Sequence, residues 1–322
     1  MRRSHQPRAH RTGRVRRRGP EGRGRRERAA VLRTAHLPLA AEGGGRRAGP
    51  GGGRPLAQLL PSSPQAVRYE EFAPPQALAP YVHCLWVFEG QDAREPQRIV
   101  PDGRCELILH WRAPYLEQDG AGWTPQPRAL FAGQLTRPLH LLARERAGVV
   151  GVRFRTAGSA VYLQSHVNAF TDRRLAVSDA PDLRKATDET ERLALAAGYV
   201  ASRLEPRFHD RQISRAVEEL RRSGGRVPLD ALASTADLSP RILQRRFLQA
   251  VGVPPRMLAS ILRFHRVFEA LQAPGVTSWT EAAQVAGYFD HPQMARDFRR
   301  FVGCTPSEFL AAERGLASHL AS

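Results

Sequence analysis

The feature that most restricts the fold of this chain is a pattern stated twice. In "PLDALASTADLSPRILQRRFLQAVG", Leu229, Leu232 and Ala233 give a short helix one apolar face, and "TAD" supplies a turn. Ser239 followed by Pro240 then offers an N-cap and a residue suited to the first helical position. Leu238, Ile242 or Leu243, Phe247 and Val251 form the buried side of a second helix, which leaves Arg241, Gln244, Arg245 and Gln249 outward; Gly252 and the Pro254-Pro255 pair end the unit. About fifty residues on, "SWTEAAQVAGYFDHPQMARDFRRFVGCTP" repeats the logic. Trp279, Ala282, Ala283 and Val285 serve its first helix, and Gly287 marks a turn where positive φ is cheap. Asp290 is the cap, Met294, Phe298, Phe301 and Val302 are the buried side, and Gly303 and Pro306 close it. Phe247 corresponds to Phe298, Arg245 to Arg296 and Gly252 to Gly303, which marks an internal duplication. Helices joined by three or four residues must cross steeply, so two helix-turn-helix units are predicted.

Between the units, "RMLASILRFHRVFEALQ" is about 17 residues of helix, roughly 25 Å at 1.5 Å per residue. Successive major-groove faces on one side of DNA lie about 34 Å apart, so such a rod suits one chain reading two adjacent grooves. An Arg or Gln on a helix in the major groove can make paired hydrogen bonds to guanine or adenine edges, each worth roughly 1–3 kcal/mol of discrimination. Charge is consistent with this. The formal net charge is +18, but residues 61–205 balance at 17 cationic against 17 acidic, whereas residues 206–322 carry 16 Arg and 11 acids. Lys185 is the one lysine, so the arginine preference reflects the coding bias of a high-GC gene and is weak evidence by itself. Arg299 and Arg300 on an isolated helix would be a solvated face; in a duplicated unit with caps in register, phosphate contact is the better role. Arg263, on the connecting helix, is as well explained by an ion pair with Asp290 or Glu269.

Residues 1–66 are rich in Arg, Gly and Pro, lack periodic apolar positions and are expected to be disordered. Ordered-looking sequence begins at Val67, and a GTG codon read as the initiator there would make the extension a gene-start artefact. From 67 to 180, "YVHCLWVFE", "RCELILHW", "RALFAGQL" and "GVVGVRF" alternate with turn residues such as Pro101-Asp102-Gly103 and predict a β-rich domain. Within 181–207, "ETERLALAAGYVASRL" has helical spacing, with Leu193, Ala196 or Ala197, Val200 and Leu204 on one side, as expected of a linker or a self-association surface. Residues 208–314 are helical throughout, starting with Ile213, Ala216, Val217 and Leu220 on one face, and 315–322 form a tail. The fold class expected is α+β multidomain: a β-rich N-terminal domain plus an all-α C-terminal domain with two helix-turn-helix units joined by a helix.

Cys84, Cys105 and Cys304 show neither a disulfide framework nor a zinc-knuckle spacing, and no run approaches the roughly 18 apolar residues of a membrane span. A cytoplasmic location without membrane attachment is expected. His83, Cys84, Cys105 and His110 match no metal-ligand spacing, and Asp102, Cys105 and Glu106 lack a complementary base. No metal, no cofactor and no catalytic residue is therefore assigned, and Cys304 reads as a buried small hydrophobe.

Residues 208–314 closely resemble the DNA-binding domain of AraC/XylS transcription regulators, and "AGYFDHPQMARDFRRFVGCTPSEF" is similar to that family's signature in the second unit. The resemblance implies that Arg241, Gln244 and Arg245 of the first unit, and His291, Gln293 and Arg296 of the second, face bases. Arg246, Arg299 and Arg300 are then expected on phosphates, with Ser239 and Asp290 as helix caps. Relatives commonly show Gln where His291 stands and His where Gln293 stands. "PDGRCELIL", "FAGQLTRPL" and "GVVGVRF" look like the β-rich domain of one poorly characterised group of these regulators, with Thr156-Ala157-Gly158 where relatives tend to have Pro-Gly-Gly. The expectation is a bacterial, non-enzymatic transcription regulator that binds double-stranded DNA, responds to a small-molecule effector or partner through its N-terminal domain, and is compatible with homodimers and contact with RNA polymerase. The alternatives are an enzyme whose β-rich domain is delivered to DNA, and a nonspecific nucleic-acid binder driven by its arginines.

Overall fold

A computed structural model of the chain describes residues 68–309, except 91–95, 121, 274 and 277. The extension at 1–66 and the tail at 315–322 lie outside the described residues. The alternating apolar runs become strands: β1 (Arg68–Phe72), β2 (Val82–Gly90), β3 (Gln97–Ile99), β4 (Glu106–His110), β5 (Leu116–Asp119), β6 (Gly122–Pro125), β7 (Ala129–Ala132), β8 (Leu139–Leu142), β9 (Ala147–Phe154) and β10 (Arg174–Ala176). One antiparallel sheet runs β1-β2-β9-β4-β7-β10 and a second runs β3-β8-β5-β6. β9 is buried at every position because it lies between β2 and β4 with both faces covered, which is why its sequence is apolar at all positions but Arg153 instead of alternating. Its Gly151 gives room for an indole: a Cβ there would come within 2.0 Å of the Trp86 ring. The one charge on this strand, Arg153, is neutralised in place by Glu106 at 2.7 Å and Glu71 at 2.9 Å.

The main core of this domain gathers Leu107, Phe131, Val150, Val152 and Phe154 beneath α1 (Ser159–Leu163) and α2 (Glu189–Ala201). Asp188 caps α2 by accepting from the Glu191 amide at 2.8 Å. Ala196, Ala197 and Val200 enter that same core, so the apolar face expected to serve a linker or self-association is consumed inside the β-rich domain. The spacing identified the face correctly but not its partner.

Beyond Pro206 the chain forms α3 (Arg211–Arg222), α4 (Leu229–Thr235), α5 (Pro240–Val251), α6 (Pro255–Gln272), α7 (Trp279–Ala286) and α8 (His291–Val302). Two cores result. Ile213, Leu220, Leu232, Leu243 and Phe247 build the first with Leu258 and Leu262 of α6. Ala282, Met294, Phe298 and Phe301 build the second with Ile261, Phe264 and Phe268 of α6. The connecting helix thus has an apolar side for each unit, which explains why it is apolar nearly all round. Among the described residues no helix is long and apolar enough to cross a membrane.

Candidate nucleic-acid interface

Each unit is held by local backbone chemistry that the sequence encodes. In the first, α4 stops where Asp237 takes a left-handed φ of 55° and the Leu238 amide donates back to the Ala233 carbonyl at 3.0 Å. Ser239 Oγ accepts from the Ile242 amide at 3.4 Å to start α5, and Gly252 ends it at φ 93°. Leu243, Phe247, Ala250 and Val251 turn inward. Ile242 is 40 % exposed, so of the two apolar candidates Leu243 fills the core. Arg241, Gln244 and Arg245 are exposed on the outer face.

The second unit opens with a reciprocal capping box between Ser278 and Glu281. Gly287 ends α7 at φ 90° and the Tyr288 amide donates to the Ala283 carbonyl at 2.9 Å. Asp290 then accepts from the Gln293 amide at 2.6 Å, and Gln293 Oε1 accepts from the Phe289 amide at 3.3 Å. Met294, Phe298, Phe301 and Val302 are buried, whereas His291, Arg296, Arg299 and Arg300 are exposed. Among the described residues, Arg241, Arg245, Arg296, Arg299 and Arg300 form no ion pair.

Several sequence expectations are corrected here. Arg246 does not present a free guanidinium for phosphate: it holds both oxygens of Asp210, the cap of α3, at 2.7 and 2.9 Å, and the Gln212 amide oxygen at 2.8 Å. It lies one residue past Arg245 and therefore about 100° further round the helix, toward α3. Gln293 is half-buried with its carbonyl oxygen engaged by the cap, leaving its amide N–H groups as the part able to meet a base. Val285 is 50 % exposed, because the buried side of α7 is Ala282, Ala283 and Ala286. Arg263 pairs with neither Asp290 nor Glu269; it donates to the Gly225 carbonyl at 2.6 Å and Ser260 Oγ at 3.1 Å. Cys304 is half-buried and accepts from Arg98 at 3.7 Å.

The β-rich domain is seated against both units on sides other than the exposed arginine faces. Thr171 Oγ1 donates to the Gly252 carbonyl at 2.6 Å, just past the end of α5. Arg221 of α3 reaches Thr156 Oγ1 at 3.1 Å, which itself donates to the Gly103 carbonyl at 2.9 Å. The turn at Pro101-Asp102-Gly103 inserts beside α6: His265 donates from Nε2 to the Pro101 carbonyl at 2.7 Å. Burial lowers the His265 pKa, so the ring is a neutral donor here, and the Pro101 carbonyl opposes that shift only in part. Gly103 has φ 76°, and a Cβ there would meet the Leu258 side chain at 2.5 Å. Val100 packs on the second core and Ala157 enters the first.

In the β-rich domain, β4, β7 and the segment 176–184 enclose a cleft of 330 Å³ whose lining includes Leu109, His110, Arg128, Val177, Asp182 and Arg184. His110 is 3 % exposed, and neither ring nitrogen has a hydrogen-bond partner. Burial pushes its pKa down to about 4, and the Gln126 side chain opposes that shift only in part. A neutral imidazole there offers one donor and one acceptor.

Comparison with known proteins follows this division. Residues 70–176 match a domain of unknown function (DUF6597), and residues 232–312 match a helix-turn-helix domain. No curated protein matches the chain in sequence. Among solved structures the chain is similar to ToxT from Vibrio cholerae, at 12 % identity over 70 % of this chain and 97 % of that one, with a TM-score of 0.39. It is also similar to ToxT from Vibrio cholerae O395 bound to (E)-4-(8-methylnaphthalen-1-yl)but-3-enoic acid, at 11 % identity, 76 % and 99 % coverage and a TM-score of 0.42. Unsaturated fatty acid bound wild-type ToxT from Vibrio cholerae strain SCE256 gives 11 % identity, 78 % and 96 % coverage and 0.38.

Proposed function

We propose that this chain, which carries a tandem helix-turn-helix domain of the AraC/XylS type, is a sequence-specific transcription regulator whose N-terminal domain receives an effector. The observation that carries the reading is the equivalence of the two outer faces. Arg241, Gln244 and Arg245 on α5, and His291 and Arg296 on α8, are exposed at matching ends of two helices whose inner faces are locked into separate cores. These side chains are the base readers, joined by the free amide N–H groups of Gln293. Arg299 and Arg300, further along α8, are the phosphate contacts that set register. The 18 residues of α6 span about 27 Å, a spacer of the right order for adjacent major-groove faces.

Control follows from the seating of the β-rich domain. A small molecule in the cleft beside His110 would brace the segment 176–184, and a change there is passed to DNA through the contacts at Gly103, Thr156 and Thr171. An effector acts only to the extent that it binds one arrangement better than the other. Bound to its site, the chain, singly or as a homodimer, would stand beside RNA polymerase in the cytoplasm.

The test is selection of duplexes from a random pool by the full chain, followed by titration at several salt concentrations. The expected result is one enriched sequence spanning two adjacent major-groove segments, with affinity for it well above that for random duplex. Equal affinity for all duplexes, with the same salt slope, would sink the reading in favour of a nonspecific binder.

A further inference from the structure

The two units are not in constant register. Ala233 and Leu238 in the first turn do the work of Ala283 and Tyr288 in the second, fifty residues on: in each, the later residue's amide donates back to the earlier alanine's carbonyl. The caps that follow are Ser239 and Asp290, fifty-one residues apart. The second turn is therefore one residue longer, and Phe289 is the residue with no counterpart.

Phe289 is 95 % exposed, the most exposed of the large hydrophobic side chains among the described residues. Its neighbour Tyr288 has already taken the buried place that Leu238 fills in the first unit: it is 5 % exposed, and its hydroxyl donates to Asp297 at 3.1 Å. An apolar residue just before an N-cap ordinarily packs on the fourth residue of the helix, here Met294, but Met294 is sealed in the core and Phe289 stands clear of it. The ring is not loosely presented. Its backbone amide is tied to Gln293 Oε1 and the next residue is the helix cap, so the side chain projects from a fixed point beside the N-terminus of α8. That end of a recognition helix is the end that enters the major groove.

We propose that Phe289 is a specificity-determining residue that recognises a thymine by apolar contact with its C5-methyl group. This inference rests on the DNA-reading function proposed above. In the major groove the methyl group is the apolar mark of a thymine, and a phenylalanine is one of the side chains that can meet it. The surrounding residues suit that contact: His291 and Arg296 are exposed on the helix that follows, so the ring is carried to the duplex beside a cationic guanidinium and covered once it arrives.

The test uses the full chain and its selected duplex, with each thymine replaced singly by deoxyuridine, which removes the methyl group and nothing else. Wild type should lose about fourfold in affinity at one thymine in the half read by the second unit. Phe289→Ser, whose ring is absent from the core, should fold as wild type, bind the thymine duplex about fourfold more weakly and be indifferent to uridine at that position. A selected sequence with no methyl-sensitive thymine, or a sensitivity that survives in Phe289→Ser, overturns the assignment while leaving the regulator reading standing. Failure to enrich any sequence removes both. If Phe289→Ser lowers transcription from the selected site without altering affinity, the ring serves a protein partner and the thymine assignment is wrong.

Discussion

The two helix-turn-helix units descend from one plan, yet they are fastened differently. The first has α3 packed beside it, Arg246 locked onto Asp210 and Gln212, and its closing Gly252 held by Thr171 of the β-rich domain. In the second, the residue in the place of Arg246 is Asp297, which takes the Tyr288 hydroxyl; Arg299, Arg300 and Phe289 are exposed. A shared core can therefore carry two different surfaces. The duplicated phenylalanines and glycines preserve shape, while the positions between them differ: Arg246 ties the first unit to α3, whereas Asp297 binds a hydroxyl within the second.

The sharpest way to break this comparison is to empty each core. Phe247→Ala and Phe298→Ala should each cost about 3–5 kcal/mol of stability in denaturant unfolding, since both rings are fully buried. Because the cores are separate, amide exchange should rise first in the unit that carries the change; equal loss of protection in both would mean they form one cooperative block. Next in size are the readers. Arg245→Ala and Arg296→Ala should each relax base preference by about 1–3 kcal/mol at one position of the selected site, in different halves of it. Matching effects on specific and random duplex would contradict their assignment.

Arg246→Ala sharpens the contrast with its neighbour Arg245. It should lower stability by about 1 kcal/mol by leaving Asp210 and Gln212 unsatisfied, with little change in base preference. A large loss of DNA affinity with unchanged stability would return Arg246 to the phosphate-binding group. Smallest is Arg300→Ala, which should weaken binding alike across sequences and reduce the slope of log affinity against log salt by about 1. Binding isotherms at three salt concentrations on two duplexes suffice to see it.

Much of this was legible in the sequence, for reasons that differ by region. The two units could be read because caps and closing glycines have local chemistry: Ser239, Asp290, Gly252 and Gly303 each act within four residues of themselves. The strands of the β-rich domain showed as short apolar runs, β9 among them with Arg153 as its one charge. What depended on distant partners was not legible. Nothing near Arg246 in sequence announces Asp210, nothing near Arg263 announces the Gly225 carbonyl, and the apolar face of α2 looks the same whether it meets β9 or another chain. Phe289 was missed for another reason. Beside an internal repeat an apolar residue reads as core, and only the one-residue difference between the two turns, visible once hydrogen bonds fix the register, marks it as surplus.

The connecting helix carries a consequence for how this chain can change over time. Ile261 and Leu262 are neighbours in sequence but supply different cores. Adding or removing one residue in α6 would advance one half by about 1.5 Å and turn it by about 100°. Every apolar contact beyond the change would then face the wrong way. The distance between the two readers is thus a ratchet with coarse teeth. On the proposed function, new binding sites would come through the bases preferred, and hardly at all through the spacing between them.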